Sequence, residues 1–559
     1  MWSFIREIFT YACFLSLLYV VIYSNVNTNA FHEVHHLRKF FLHSENINED
    51  YTKISTINSY WYWLENNFVK KIRAQKWYNG DAPRNLSGFI DDKSNRLIGW
   101  VTMRQLRIKS YLCPAKQQEV VSKCEDDYSF GNEETDSFQP GWTSYNQTIT
   151  QTYNSTILRA FTYRNGDELD TYSYVGEHRT YSSGGYVYEF RGRLSNLQSN
   201  LSKLYELGWI DTQTRAIIIQ CTLYNPNVGL FTSITLLTEF LSTGGLYPQS
   251  RFEPLSFQLF TSITQLICSI FYMIFIIYMM IEEIRSVLQM KMKYFFQFWT
   301  YVNIGIIVCS WTSVGIYIWR YIESKRIGQL FQETNGYVYI NLQLAVYIND
   351  TFTYLVGFCC FFGTVKFVRL CRVNRRILLF LTTIRHAAKE LLSFSMMFSI
   401  MFTSFICLFY FLFISKLSTC SSIFQTTRML FEMTLMKFDA YELVDASSFL
   451  GPFCFSLFIL LMVFVCLSMF ITIINDSFRF ARDNLHKHQT EDEQIIGYMI
   501  MKFRRWIGHS NQIEIIEERD IQMRNDYRNP VDHFPYKIDQ LLAALDNVYV
   551  SQKHIVSNK

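Results

Sequence analysis

The chain has 559 residues, of which 49% are hydrophobic, 17% aromatic and only 18% charged. A formal net charge of +4 is too small to point to nucleic acid as a partner, and the length gives more than one domain with ample material for a large core. Mean hydropathy near zero, at +0.05, conceals two phases, because long uncharged runs alternate with polar segments.

Apolar runs of roughly 20 residues mark helices that cross a bilayer, and the sequence offers six. The first, "IFTYACFLSLLYVVIY" over 8–23, follows a basic residue as a signal peptide would. No small-residue cleavage site comes after it, so it reads as a span. Next comes "HEVHH" (His32 to His36), a match to H-E-x-x-H, which can place two histidines and a glutamate base around zinc on one helical face. It has no downstream third-ligand motif, and a polar helix leading into the next domain is the preferred reading. Enzyme chemistry is not expected, since no G-x-S-x-G or phosphate-cradling glycine loop occurs in a fitting context either.

The polar stretch over 24–258 carries N-x-S/T sequons at Asn85, Asn146, Asn154 and Asn200, as expected of an extracellular domain. Cys113 and Cys124, eleven apart in a polar loop, suit a disulfide in an oxidising compartment. "TRAIIIQCTLYNPNVGLFTSITLLTEF" is rich in Ile and Thr and reads as strands, which makes the domain a mixture of α and β. Most other cysteines, such as Cys268, Cys359 and Cys466, lie inside apolar runs and read as small buried hydrophobes.

The remaining spans are expected at 259–281, 298–319, 351–365, 391–413 and 451–474. Basic residues fix their orientation. Lys366, Arg369, Arg372, Arg375, Arg376, Arg385 and Lys389 fall between spans four and five, and Arg479, Arg482 and Lys487 follow span six. The positive-inside tendency puts both clusters and both termini in the cytoplasm, while Arg320, Lys325 and Arg326 run against it. A fifth sequon stands at Asn349, before span four. Lys366, Arg369 and Arg372, three apart, have the arrangement of a voltage sensor. A positive flank continuing as an amphipathic helix is preferred, because only Lys366 is near the apolar run.

Between spans five and six lies "RMLFEMTLMKFDAYEL" (Arg428 to Leu443), half hydrophobic yet carrying Glu432, Lys437, Asp439 and Glu442. Such a segment cannot face lipid, but it can enter a protein-lined cavity at membrane depth. The tail over 475–559 alternates charged and apolar residues and reads as helical, without a Ca²⁺-binding loop of the D-x-[DN]-x-[DN]-G kind.

This order of parts resembles the polycystin family, relatives of the transient receptor potential channels. "LGWIDTQTRAIIIQCTLYNPNVGLFTSITLLTEFLSTGG" (207–245) is similar to the family's signature in its outer domain. "VTMRQLRIKSYLCPAK" with "KCEDDYS" resembles its disulfide-bearing segment, which implies that Cys113 and Cys124 are bonded. "YMMIEEIRSVLQMKMKYFFQFWTYVNIGIIV" resembles spans two to three, and "MFITIINDSF" the inner end of the last span. The likeness extends over residues 1–480.

The resemblance implies a multi-pass α-helical membrane protein with six transmembrane helices, a voltage-sensor-like bundle plus a pore module, and a large α+β extracellular polycystin domain. Its parts would be a first transmembrane helix (1–23), the polycystin domain (24–258), helices two to four with a linker (259–390), a pore module (391–478) and a cytoplasmic helical tail (479–559). By the same likeness the chain is a subunit of a non-selective, calcium-permeable cation channel. It needs no cofactor, and Ca²⁺, Na⁺ and K⁺ are its permeant ions. Its partners would be membrane lipid and other polycystin subunits in a homo- or heterotetramer, in the plasma or ciliary membrane.

At the filter, where conducting relatives carry L-G-D, this chain has Leu435, Met436 and Lys437. The composition resembles the polycystin-1-like branch, and four Lys437 ammonium groups in a ring would repel cations. Asp439 and Glu442 could restore a negative mouth; alternatively Lys437 pairs with Asp439 or Glu432 and points away from the path. Ser468 stands where the family usually has asparagine near the inner gate, in a region that includes Ile471, Ile474, Asn475 and Asp476. A non-conducting, receptor-like or scaffolding subunit that positions a polycystin-2-type partner is the alternative reading.

Overall fold

The computed structural model describes residues 2–25, 27–44, 46, 49–76, 88–144, 155–257, 263–291, 294, 298–370, 375–437, 440–487, 538–539 and 541–543. The chain divides into two units, Phe9–Lys366 and Phe367 onward together with Met1–Ile8.

In the larger unit the Ile- and Thr-rich stretch forms the centre of an antiparallel sheet. Its strands are β1 (Arg96–Leu97), β2 (Val101–Arg107), β5 (Tyr163–Arg164), β8 (Gly185–Phe190), β9 (Thr214–Asn225), β10 (Leu230–Phe240) and β11 (Leu246–Leu255). They run in the order β11-β10-β9-β2-β8-β5, with β1 also on β9. Two separate ribbons join β3 (Tyr111–Leu112) to β4 (Lys123–Cys124) and β6 (Tyr174–Val175) to β7 (Thr180–Tyr181). β9 and β10 are buried along nearly their whole length, which β-branched residues on both faces allow.

One face of the sheet packs against α2 (Thr28–Leu42), α7 (Leu194–Glu206) and a run made of α3 (Ile57–Trp63), a π turn (Leu64–Phe68) and α4 (Val69–Lys71). Short helices α5 (Ser155–Ala160) and α6 (Gly166–Leu169) complete the domain. The core between these layers is aromatic, with Tyr51, Tyr60, Trp63, Phe68, Tyr188, Phe190 and Trp209 almost inaccessible. Truncating one such Phe or Trp to Ala removes about 3–5 kcal/mol. The opposite face is covered by Tyr128, Tyr174 and Tyr181 over Leu106, Ile218 and Leu237.

Glu239 on β10 is fully buried there and carries the β6–β7 ribbon. It accepts from the Tyr181 hydroxyl at 2.9 Å, the Gln249 amide at 2.7 Å and the backbone N–H groups of Glu177, His178 and Arg179 at 3.2–3.3 Å, and it lies 3.1 Å from His178 Nδ1. Six donors satisfy a carboxylate that burial would otherwise penalise. In the same domain the H-E-x-x-H stretch serves docking. Glu33 on α2 is buried and accepts from the Asn225 amide at 2.9 Å, while His36 reaches Asp92 at 3.4 Å.

Four long helices belong wholly or mainly to this unit: α1 (Trp2–Asn25), α8 (Ile263–Met290), α9 (Phe298–Thr334) and α10 (Gln343–Leu370). All four are longer than the sequence suggests. α9, expected over 298–319, continues to Thr334, and at 37 residues it spans about 55 Å, well beyond a hydrocarbon core of about 30 Å. The basic residues that run against the positive-inside tendency lie on this extension, and Arg320 and Arg326 have partners. Arg326 pairs with Glu323 at 2.6 Å and Asp170 at 3.7 Å, and Arg320 donates to the Ser256 carbonyl at 2.9 Å. α10, expected over 351–365, begins at Gln343, which places Asn349 in its second turn.

The loop between α9 and α10 is stitched into the α+β domain. Gly99 N–H donates to the Gly336 carbonyl at 2.9 Å, and the Thr222 hydroxyl donates to the Ile340 carbonyl at 2.8 Å. Gly99 has φ +68°, and a Cβ there would lie 2.2 Å from the Tyr339 nitrogen, so only glycine fits.

The second unit contains α11 (Arg375–Phe413), α12 (Ile423–Thr434), α13 (Ala440–Ala446), α14 (Leu450–Phe458), a π-helical run (Ile459–Leu467) and α15 (Ser468–Lys487). α11 was expected to begin at 391; it starts at Arg375 because the basic stretch before the apolar run keeps helical periodicity. Of the tail, only α15 to Lys487 and helical residues 538–539 and 541–543 are described. In all, six described helices are long and apolar enough to cross a membrane, which makes this a multi-pass α-helical membrane protein with a sheet-containing domain between its first two spans.

Candidate pore segment

The segment between the last two spans is built by helix signals that can be read locally. Ser422 caps α12 by accepting from the Gln425 N–H at 3.2 Å, and Thr426, Leu430 and Met433 form its buried stripe at helical spacing. That stripe packs with Phe405, Phe409 and Phe413 of α11 and with Cys454, Phe458 and Met462 of the last span.

α12 ends in a Schellman turn. Lys437 N–H donates to the Glu432 carbonyl at 2.8 Å, and Met436 N–H donates to the Met433 carbonyl at 3.0 Å. The residue required in the left-handed region by this turn is Met436, at φ +59°. Glycine is the usual occupant because a Cβ costs roughly 1–2 kcal/mol there. The methionine expected at a glycine position is therefore also the residue under backbone strain.

Leu435, Met436 and Lys437 are all exposed on this turn. Glu432 is occupied by Arg428 at 2.9 Å, and among the described residues Lys437 forms no ion pair. The Lys437 backbone sits at the negative end of the α12 dipole, which favours a cation there. Asp439 lies outside the described residues, and Glu442 is exposed in the first turn of α13. The chain then returns through a contact that sequence reasoning missed: a Cβ on Gly451 would lie 2.0 Å from the Leu443 carbonyl oxygen, so glycine alone lets α13 fold back onto α14. Its only sequence signal is a lone glycine before Pro452 at the start of the last span.

At the other end of the last span, Ser468 is the first residue after the π run, and its hydroxyl donates to the Val465 carbonyl at 2.8 Å. Ser477 and Ala481 are buried, and His386 of α11 stacks on Phe480 with ring centroids 4.1 Å apart. Ser468, Ile471 and Asn475 fall on the face opposite Ser477 and are exposed; Ile474 and Asp476 flank that face. The π run was not anticipated, and nothing in its uniformly apolar sequence announces it.

The other anticipated residues are scattered. Lys366 lies on α10 with its ammonium 4.9 Å from the centre of the Tyr11 ring, and the Tyr11 hydroxyl donates to the Gly363 carbonyl at 2.8 Å. Arg369 occupies the last turn of α10, and Arg372 lies outside the described residues. Cys113 and Cys124 are bonded to each other, tying β3 to β4 with their Cα atoms 5.0 Å apart. Asn200 is half-buried on α7, whereas Asn85, Asn146 and Asn154 lie outside the described residues.

Comparison with known proteins agrees with this arrangement. A family profile described as "Polycystin domain" matches residues 50–258, and one described as "Polycystin cation channel" matches residues 256–481. The chain is 26% identical to Polycystin-2-like protein 1 of Homo sapiens over 494 residues, 87% of this chain and 59% of the relative. It is 27% identical to Polycystin-2 of Danio rerio over 499 residues, 88% of this chain and 53% of the relative. With Polycystin-1-like protein 3 of Mus musculus the identity is 23% over 492 residues, 86% of this chain and 21% of the relative. The chain thus spans little more than half the length of these two polycystin-2-type relatives. With both the outer-domain profile and the channel profile matched in order and end to end, the chain belongs to the polycystin family.

Proposed function

We propose that this chain is a subunit of a polycystin-type cation channel that works as a tetramer, non-selective among Ca²⁺, Na⁺ and K⁺. The observation that carries this reading is the segment from Ile423 to Leu450 between two apolar helices, whose α12 is capped by Ser422 and closed by a Schellman turn, with Leu435, Met436 and Lys437 exposed at that turn. A polar segment in that position has a use if it borders a water-filled path between subunits. The face of α15 bearing Ser468, Ile471 and Asn475 is the inner lining of the same path in this reading. Residues 24–258 are extracellular, which agrees with the Cys113–Cys124 disulfide. Both termini are cytoplasmic, in the plasma or ciliary membrane, with Lys366, Arg369 and Arg372 forming a positive flank.

Lys437 favours a second reading. Four Lys437 ammonium groups around one axis would oppose cation entry. A homotetramer would then conduct poorly, and the chain would serve beside a polycystin-2-type subunit as a receptor-like or scaffolding partner. Patch-clamp recording of the chain alone and together with such a partner separates the two. The channel reading expects a cation current that depends on this chain, largest in the mixed assembly. Currents in the mixed assembly that do not change when this chain is omitted would leave the scaffold reading in its place.

A further inference from the structure

A cavity of about 280 Å³ opens within the bundle of α1, α8, α9 and α10. Its walls are almost wholly apolar, from Leu18 on α1 to Val356 on α10. Leu266 and Ile270 of α8 line it while remaining 41% and 53% exposed, so the cavity meets the surface that faces lipid.

Its floor is polar. Tyr272 of α8, Ser310 of α9 and Cys359 of α10 are buried and close a triangle: the Tyr272 hydroxyl is 3.0 Å from Ser310 Oγ and 3.5 Å from Cys359 Sγ, and Ser310 Oγ is 3.2 Å from Cys359 Sγ. Each group has one hydrogen, and the three contacts use all three, leaving lone pairs on the two hydroxyl oxygens. Two further hydroxyls of the wall are spent in the same way, since Ser313 donates to the Cys309 carbonyl at 2.7 Å and Ser269 to the Gln265 carbonyl at 2.9 Å. The hydroxyls of the floor and of these two serines therefore offer acceptors and have no hydrogen to give.

Size narrows the occupant further. A cavity of about 150 Å³ admits benzene, so 280 Å³ suits a molecule of roughly a dozen non-hydrogen atoms and is too small to enclose a sterol or a phospholipid. We propose that this cavity is a binding site for compact lipophilic alcohols and phenols that enter from the membrane and donate their O–H to the Tyr272–Ser310 floor. All its lining residues belong to the unit Phe9–Lys366, and its occupancy does not depend on whether the chain conducts.

The test uses the full chain in lipid nanodiscs and a diazirine-bearing octanol as photolabel, with the labelled peptides mapped by mass spectrometry. Labelling is expected on residues lining the cavity in α8 and α9. Thymol should displace it, and thymol methyl ether, which keeps the shape but has no hydrogen to donate, should displace it about ten-fold less well, the scale of one hydrogen bond. Two filling variants, Ser269→Phe and Val314→Trp, should each abolish that labelling in protein of unchanged size. Equal displacement by phenol and ether, or labelling spread evenly over lipid-facing residues, would overturn the proposal. Should both variants misassemble, the competition on the unaltered chain decides alone.

Discussion

The α+β domain and the pore segment handle buried and exposed polarity in opposite ways. In the domain, a carboxylate with no accessible surface, Glu239, collects six donors from one ribbon and one neighbouring strand. Arg107, also buried, pairs with Asp211 at 2.7 Å and stacks 3.5 Å from the centre of the Trp142 ring. Around α12, the buried stripe is apolar but for Thr426, whose hydroxyl donates to the Ser422 carbonyl, and the ions stay on the surface: Arg428 with Glu432, and Lys437 without a partner among the described residues. A domain that folds in water must complete its polar network within one chain, because an unpaired buried group costs 1–3 kcal/mol. A segment that borders a path between subunits, as proposed for this one, would keep its charges available for whatever passes. Substitutions should accordingly register as stability in the first region and as ion flow in the second.

The largest effect is expected at Glu239. Replacing it with alanine strands the Tyr181 hydroxyl, the Gln249 amide, His178 and three backbone N–H groups, and should destabilise the domain by about 3–5 kcal/mol. Hydrogen exchange of the full chain should show residues 174–181 opening first. Unchanged protection there would mean that the ribbon is held by its aromatic contacts instead.

Next in size is the Cys113–Cys124 disulfide. Serine at both positions frees a short loop, for a loss of about 3 kcal/mol on the chain-entropy model. Denaturant unfolding of the purified full chain, with and without reductant, should reproduce that loss in the unaltered protein and show no further loss in the variant. If reduction leaves stability unmoved, the loop is held by its neighbours, such as the Tyr111 hydroxyl on Asp126 at 2.9 Å.

These two sites also show what the sequence made legible. The spans, the strands of the β9–β10 hairpin and the cysteine pair follow from hydropathy, β-branched composition and spacing, all of which act within a few residues. The lengths of α9 and α11 did not follow, because polar helix beyond the bilayer has no apolar run to mark it. Arg326 ran against the positive-inside tendency; its nearest partner, Glu323 at 2.6 Å, is local, and only its second, Asp170 at 3.7 Å, is distant in sequence. The pore turn was half legible. Met436 and Lys437 stood out by resemblance, whereas the left-handed backbone of Met436 and the carbonyl of Leu443 against Gly451 depend on chain reversal, which no local pattern encodes.

In the pore segment the contrast predicts altered current with little loss of stability. Lys437→Asp together with Met436→Gly should raise cation current in homomers severalfold, as a repelling ring becomes an attracting one. Met436→Gly alone removes about 1–2 kcal/mol of left-handed strain and returns 0.5–1 kcal/mol of it as glycine's larger unfolded-state entropy, so the net gain is about 0.5–1 kcal/mol. Tetramer size and surface expression are measured alongside the current. An unchanged current from a correctly assembled double variant rules out Lys437 as the barrier and moves the block elsewhere along the path.

The smallest effect should come from a carboxylate that the domain leaves incompletely matched, and it marks where the contrast weakens. Glu253 on β11 is half-buried, and burial first, then the Asp350 carboxylate, push its pKa up against the opposing pull of Arg251. A carboxyl whose folded pKa is raised favours its protonated form in the fold. The stability from that form is complete below the ordinary glutamate range and is lost as pH rises through the raised value. At neutral pH the ionised group is therefore a small burden, and Glu253→Gln should raise stability by about 0.5 kcal/mol, with the difference shrinking toward zero as the pH falls to the point where the native carboxyl is protonated. Thermal unfolding of the full chain in nanodiscs at neutral and acidic pH reads both arms. A variant less stable than the native chain at neutral pH would show that the ionised Glu253 is fully paired, as Glu239 is, and that the domain leaves no carboxylate unmatched at this edge.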